Sequence, residues 1–145
     1  MKSEKAVALF EEGFACSQSI LASHCEEYGL DSKVAIKLAD PFGAGMRGQS
    51  ETCGAVTGAL MVIGLKHGRT RADDLLAKEK AAEVTREFVK RFKERHGTIV
   101  CKELLEHDIS IPEQHDIAEE LGYFKTKCPN FVRSAVEILG QILSS

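Results

Sequence analysis

Apolar residues recur along this chain at helical spacing, and the breaks between them fall at glycine, proline and capping residues. Ser3 is a candidate N-cap for a helix over Glu4–Glu12 that places Val7 and Phe10 on one side, and Gly13 breaks it. A second helix is predicted from Cys16 to Tyr28, closed by Gly29, and a third from Asp31 as cap through Leu38, stopped by Asp40-Pro41. Pro41 to Thr52 holds Gly43, Gly45 and Gly48 and reads as an irregular loop. From Cys53 to Lys66 the chain is apolar nearly all round, which predicts a buried central helix rich in Gly and Ala, ending at Gly68. Ala72–Arg95 is the most clearly amphipathic stretch: Ala77, Ala81, Val84, Phe88 and Phe92 form one face, and basic residues crowd its last turns before Gly97. Thr98 is expected to cap a short helix through His107, Pro112 to open one to Leu121, and Pro129 to begin a last one to Leu143. Strand signals are nearly absent. The pattern predicts one all-α domain over residues 1–145, compact, with six or seven helices.

Composition narrows the function classes. The 145 residues include 19 basic and 22 acidic ones, a net charge of −3, so no basic surplus exists to neutralise a phosphate backbone and no nucleic-acid partner is expected. The longest apolar run, Ala55 to Leu65, is interrupted by Thr57, Gly58 and Gly64, and falls short of the roughly 20 residues of a membrane span. The N-terminal residues mix charges and lack an apolar signal region, which predicts a cytoplasmic protein with no membrane partner. In a reducing compartment, five cysteines point to metal ligation or redox chemistry before structural disulfides.

Four of those cysteines share a context. Cys16, Cys53, Cys101 and Cys128 each fall at or near a predicted helix start, where unpaired N–H groups and about half a positive charge favour thiolate, the form that binds metal and attacks disulfides. Each could equally be a small core residue, and no Cys-x-x-Cys pair gives the local spacing of a typical zinc or cluster site. Cys25 lies nine residues after Cys16, half a turn round the same predicted helix at about 100° per residue, and reads as a packing residue.

Cys16-Ser-Gln-Ser, the block from Pro41 through Gly45, Gly48, Cys53-Gly-Ala and Gly58 to Leu65, then Gly97, Cys101-Lys-Glu-Leu-Leu and Cys128, resemble the redox-active family named for the pattern Cys…Gly-Cys-Ala-x-x-Gly…Cys…Cys. The resemblance runs from about Gly13 to Leu139, and this chain reads Cys53-Gly54-Ala55 where the name has Gly-Cys-Ala. It implies a fold similar to part of split-Soret cytochrome c, and that Cys16, Cys53, Cys101 and Cys128 act together in a redox or iron–sulfur role. Covalent haem is not implied, because no Cys-x-x-Cys-His exists. Four converging thiolates carry −4, and four helix ends of about +0.5 return only about +2. The remainder must be met by a cation, by protons or by disulfide formation. Three readings follow. In the first, an iron–sulfur cluster or zinc serves electron transfer to a redox partner protein. In the second, a thiol–disulfide enzyme or sensor works without metal. In the third, an interaction module with structural cysteines forms a homodimer.

The remaining motifs add less. Gly43-Ala-Gly45-Met-Arg-Gly48 matches G-x-G-x-x-G, but a helix and Asp-Pro precede it instead of a strand, so a dinucleotide site is not expected. Gly43, Gly45, Gly48 and Gly54 are candidates for turning backbone N–H groups toward a cofactor near Cys53. Gly54, Ala55, Gly58 and Ala59 form a small-residue stripe that allows close packing within the domain or across a dimer axis. His24, about 80° round the helix from Cys16, is expected on a partly exposed face.

Overall fold

A computed structural model describes residues 1–144. Among the described residues, seven helices of two turns or more make up most of the structure: α1 Lys2–Glu12, α2 Cys16–His24, α3 Ser32–Ala39, α4 Gly54–His67, α5 Leu75–His96, α6 Pro112–Glu120 and α7 Cys128–Leu143. Single turns at Cys101–Leu104 and Tyr123–Thr126 join the later ones. Among the described residues there is no strand, only one isolated antiparallel bridge between Thr52 and Val100.

The caps follow the local sequence with some shifts. Asp31 accepts from the N–H groups of Lys33 and Val34, and Asp74 from that of Ala77, starting α3 and α5. Gly13, Gly29 and Gly97 take left-handed conformations that close the segments before them. Ser3 caps nothing, because α1 already begins at Lys2. Nor does one α-helix run from Cys16 to Tyr28: α2 stops at His24 and Cys25–Tyr28 tightens into a 3-10 turn. Thr98 accepts from Val100 N–H and also bonds Glu103, so its turn is short and begins only at Cys101. The first turns of α5 leave the core. Leu75 and Leu76 are exposed and Ala77 and Ala81 half-buried, so only Val84, Phe88 and Phe92 of the expected face are enclosed.

Two helices form the centre. The Gly/Ala-rich α4 buries Ala55, Val56, Ala59, Val62 and Ile63 and packs against α2, α5 and α7. Its partner α2 is buried at all nine positions, including three serines, a glutamine and a histidine. These polar groups are satisfied: Ser17 donates to Ala39 O at 2.8 Å and Gln18 to Ile36 O at 2.9 Å, covering carbonyls at the end of α3 that have no helical partner. Gln18 also accepts from Ala15 N–H at 2.9 Å, which fixes the start of α2. The small-residue stripe is used within the domain. A Cβ on Gly58 would lie 2.9 Å from Ser17 O, and one on Gly54 3.1 Å from Ser17 N, so α2 occupies the ground a second copy would need. The apolar face of α7, with Phe131, Val132, Ala135, Val136, Ile138 and Leu139, closes the core, and the tilted rings of Phe92 and Phe131 meet across to α5 with centroids 6.5 Å apart.

Candidate metal or redox centre

Cys16, Cys53, Cys101 and Cys128 line one cavity of about 300 Å³. Cys16 and Cys128 are the first residues of α2 and α7, Cys53 is the N-cap of α4, and Cys101 opens the single turn Cys101–Leu104. Three of the four therefore sit at helices of nine, fourteen and sixteen residues, which have useful dipoles. A four-residue turn has almost none, so Cys101 lacks the compensation that a full helix would give. All five cysteines are free thiols, and Cys25 lies apart, fully buried, donating to Ala22 O at 3.5 Å.

The two middle cysteines are tied by backbone pairing. Cys53 N–H donates to Ile99 O at 2.8 Å, Cys101 N–H to Glu51 O, and Lys102 N–H to Ser50 O at 3.0 Å. This short ladder around the Thr52–Val100 bridge fixes α4 and the Cys101 turn side by side, although they are far apart in the chain. Gly43–Ser50 leads into it through a left-handed turn. Ala44, Gly45, Met46 and Arg47 have φ of 49°, 69°, 72° and 43°, and Ser50 has 59°. Left-handed backbone costs roughly 1–2 kcal/mol per non-glycine residue, and such strain persists only where surroundings hold it. Gly45 is needed here, since a Cβ would lie 2.6 Å from Glu51 N.

Of the glycines expected near a cofactor, Gly45 and Gly54 line the cavity. Gly43 and Gly48 are outside its lining; Gly43 instead lets the turn press against Ala15, whose Cβ would be 2.6 Å away from an added one. Phe10, Phe124, Phe131, Leu104, Leu105 and Ile109 supply apolar wall, while Asp40 and Arg47 pair with each other on the lining. His24 is not on this face. It is buried, its Nδ1 lies 2.8 Å from Ile20 O, and it lines a separate cavity with Lys2, Glu27 and Tyr28; α1 and α7 cover the side expected to be partly exposed. Burial lowers its pKa.

Burial outweighs the helix ends at Cys53 and Cys101. Removal from water pushes the Cys53 thiol up to about 12 despite the N–H groups of Ala55 and Val56, and Cys101 up to about 11 despite a hydrogen bond from Ser50. Cys16 and Cys128 share a hydrogen bond that pushes the two apart: Cys16 is raised well above an ordinary thiol, first by that bond and then by burial, while Cys128 is lowered, first by the same bond and then by Lys127. Ser50 was missed in the sequence because a lone serine in a polar loop carries no signal. Among the described residues, no three cysteine sulfurs lie within 4.8 Å of one another; that proximity is met only by His115, Asp116 and Glu119 on the surface.

The described fold is all-helical, and Cys16, Cys53, Cys101 and Cys128 line one cavity in it. The chain belongs to the family described as "Putative redox-active protein (C_GCAxxG_C_C)", whose model matches residues 14–142. Neither the curated proteins nor the solved structures include a match. Among the described residues, no helix is long and apolar enough to cross a membrane.

Proposed function

We propose that this protein is an electron-transfer module in which Cys16, Cys53, Cys101 and Cys128 hold an iron–sulfur cluster and exchange electrons with a protein partner. The carrying observation is that four sulfur donors surround one cavity while no three stand as close as 4.8 Å. A tetrahedral zinc with bonds of about 2.3 Å brings all its sulfurs to about 3.8 Å apart, closer than this framework holds any three of them. A [4Fe–4S] cluster binds each thiolate through a different iron and spaces them more widely. The donor set is all sulfur, and the wall of Phe10, Phe124, Phe131, Leu104, Leu105 and Ile109 would keep water from it. When bound, the cluster would supply one-electron chemistry; the chain's own residues supply the four thiolates and the low-dielectric wall.

Anaerobic purification, an absorption spectrum, and iron, sulfide and zinc analysis test this reading. Stoichiometric iron and sulfide with visible charge-transfer bands are expected, and each of the four Cys→Ser changes should remove them. A colourless protein with all thiols titratable and no iron or sulfide overturns it, and zinc without sulfide replaces it by a mononuclear site.

The hydrogen bond between Cys16 and Cys128 favours a second reading, a reversible disulfide between those two. The pair would lose two protons and two electrons to a disulfide oxidant, which is reduced to two thiols. Peptide mapping after equilibration with oxidised dithiothreitol is expected to give that one linkage; random or absent pairing removes this reading.

A further inference from the structure

His24 ends the helix that Cys16 begins, eight residues on at about 1.5 Å each, or roughly 12 Å from the cysteine centre along α2. The residue is only 5 % exposed, yet it lines a cavity of its own of about 410 Å³. That lies within the span of about 300–1,000 Å³ common to small-molecule pockets. The Ile20 carbonyl, 2.8 Å from Nδ1, can only accept, so Nδ1 carries the ring proton. Ser23 Oγ gives its own proton to the same carbonyl at 2.9 Å and does not compete for that role. Burial lowers the pKa of the imidazole, so the ring is neutral at neutral pH and Nε2 keeps its lone pair. No described residue donates to that lone pair. Nor is Nε2 sealed in the core: among the described residues, the buried side-chain nitrogen or oxygen left without a partner is on His96. The His24 acceptor therefore opens into the cavity that its ring lines.

The rest of the lining selects what could meet it. The charged side chains there are already matched, Lys2 with Glu27 and Glu137 with Arg95 at 2.7 Å. Val136, Leu139 and Leu143 of α7 add apolar wall. A charged ligand would lose its hydration and find no unmatched charge, whereas a neutral one with an apolar body and a single donor satisfies both surfaces. We propose that this cavity is a second ligand site, in which His24 Nε2 accepts from the hydroxyl or N–H of a small neutral molecule whose body lies on the α7 wall. It stands apart from the electron-transfer reading, since none of the four cysteines of the centre lines it.

Para-cresol and para-methylanisole share one apolar body and differ in the donor, so they serve as the probes. Each is titrated into the reduced protein while the His24 Nε2 resonance is followed by long-range proton–nitrogen NMR. Saturable binding of para-cresol that moves Nε2 is expected, with para-methylanisole about tenfold weaker for want of one buried hydrogen bond. Gly140→Leu fills the cavity from an exposed position where an added Cβ meets nothing within 4 Å, and should abolish binding while the fold is kept. His24→Phe keeps a ring and drops the acceptor, which should bring para-cresol down to the affinity of para-methylanisole. Equal binding of the two probes overturns the proposal, as does para-cresol that fails to bind or binds without moving Nε2. Undiminished binding to Gly140→Leu overturns it as well. If His24→Phe does not fold, the wild-type comparison and Gly140→Leu still decide.

Discussion

Gly58→Ala and Gly64→Ala make the same chemical change on the same helix and should have opposite effects. Replacing glycine by alanine inside a helix stabilises by roughly 0.8–1 kcal/mol through backbone entropy alone. At Gly64 the new methyl meets nothing within 4 Å and the site is exposed, so that gain should appear nearly whole. At Gly58 the methyl would lie 2.9 Å from Ser17 O, 3.0 Å from Ser17 Cα and 3.3 Å from Ile20 Cβ. The first two are backbone atoms of the fully buried α2, so no side chain can swing aside and the helices must separate. Overpacking of this kind costs about 1–3 kcal/mol, which cancels or exceeds the entropic gain and leaves a net loss of up to about 2 kcal/mol. Because Cys16 begins α2 and Cys53 caps α4, the same displacement moves two of the proposed ligands apart and, on the electron-transfer reading, should lower the iron and sulfide content of Gly58→Ala. Urea unfolding of the reduced proteins, with iron and sulfide counted on the purified ones, measures both effects. A Gly58→Ala protein as stable as Gly64→Ala would refute the close approach of the two central helices.

Three further outcomes follow from the site. Cys53 and Cys101 keep their protons up to about 12 and 11 in the fold, whereas in the unfolded chain thiols titrate near 9. The unfolded state therefore binds fewer protons from about pH 9 upward, and stability of the metal-free reduced protein should fall by as much as about 1.4 kcal/mol per pH unit for each thiol, read from urea midpoints between pH 8 and 10.5. Cys25→Ala, remote from the cavity, should cost on the order of 1 kcal/mol in stability and leave metal content and spectrum unchanged. Ala44→Gly relieves a left-handed φ of 49° at an exposed position and should raise stability by up to about 1 kcal/mol without altering the spectrum.

The legible parts of this chain were those written in local chemistry. Glycine and proline breaks, with Asp31 as a cap, located the longer helices and put a cysteine at the head of three, because caps and breaks depend on a few neighbouring residues. The left-handed turn was not legible. Gly45 and Gly48 permit it, but Ala44, Met46, Arg47 and Ser50 do not advertise it; the close contact with Ala15 and the pairing of residues 50–53 with 99–102 impose it. His24 failed for a similar reason. Helical arithmetic fixed its angle from Cys16, but which face of α2 would be covered depended on where α1 and α7 came to rest.

The charge at the centre was the deepest of these failures, and it sharpens what the centre is suited to do. Helix ends favour thiolate by an amount set within one turn, whereas desolvation depends on everything packed around the sulfur. With Cys16, Cys53 and Cys101 all raised above an ordinary thiol, the metal-free cavity is mostly protonated at neutral pH. Such thiols are poor general nucleophiles, which weighs against an open thiol-exchange surface. They become thiolates when a cation replaces their protons, so loading must release protons and must weaken as pH falls. Iron uptake by the reduced apoprotein under anaerobic conditions, followed with a pH indicator at pH 6.5 and 8.0 in weak buffer, should therefore show proton release per site and tighter loading at the higher pH. Uptake that is independent of pH and releases no protons would mean the cavity does not hold protonated sulfurs, and burial would then not be the force that sets its charge.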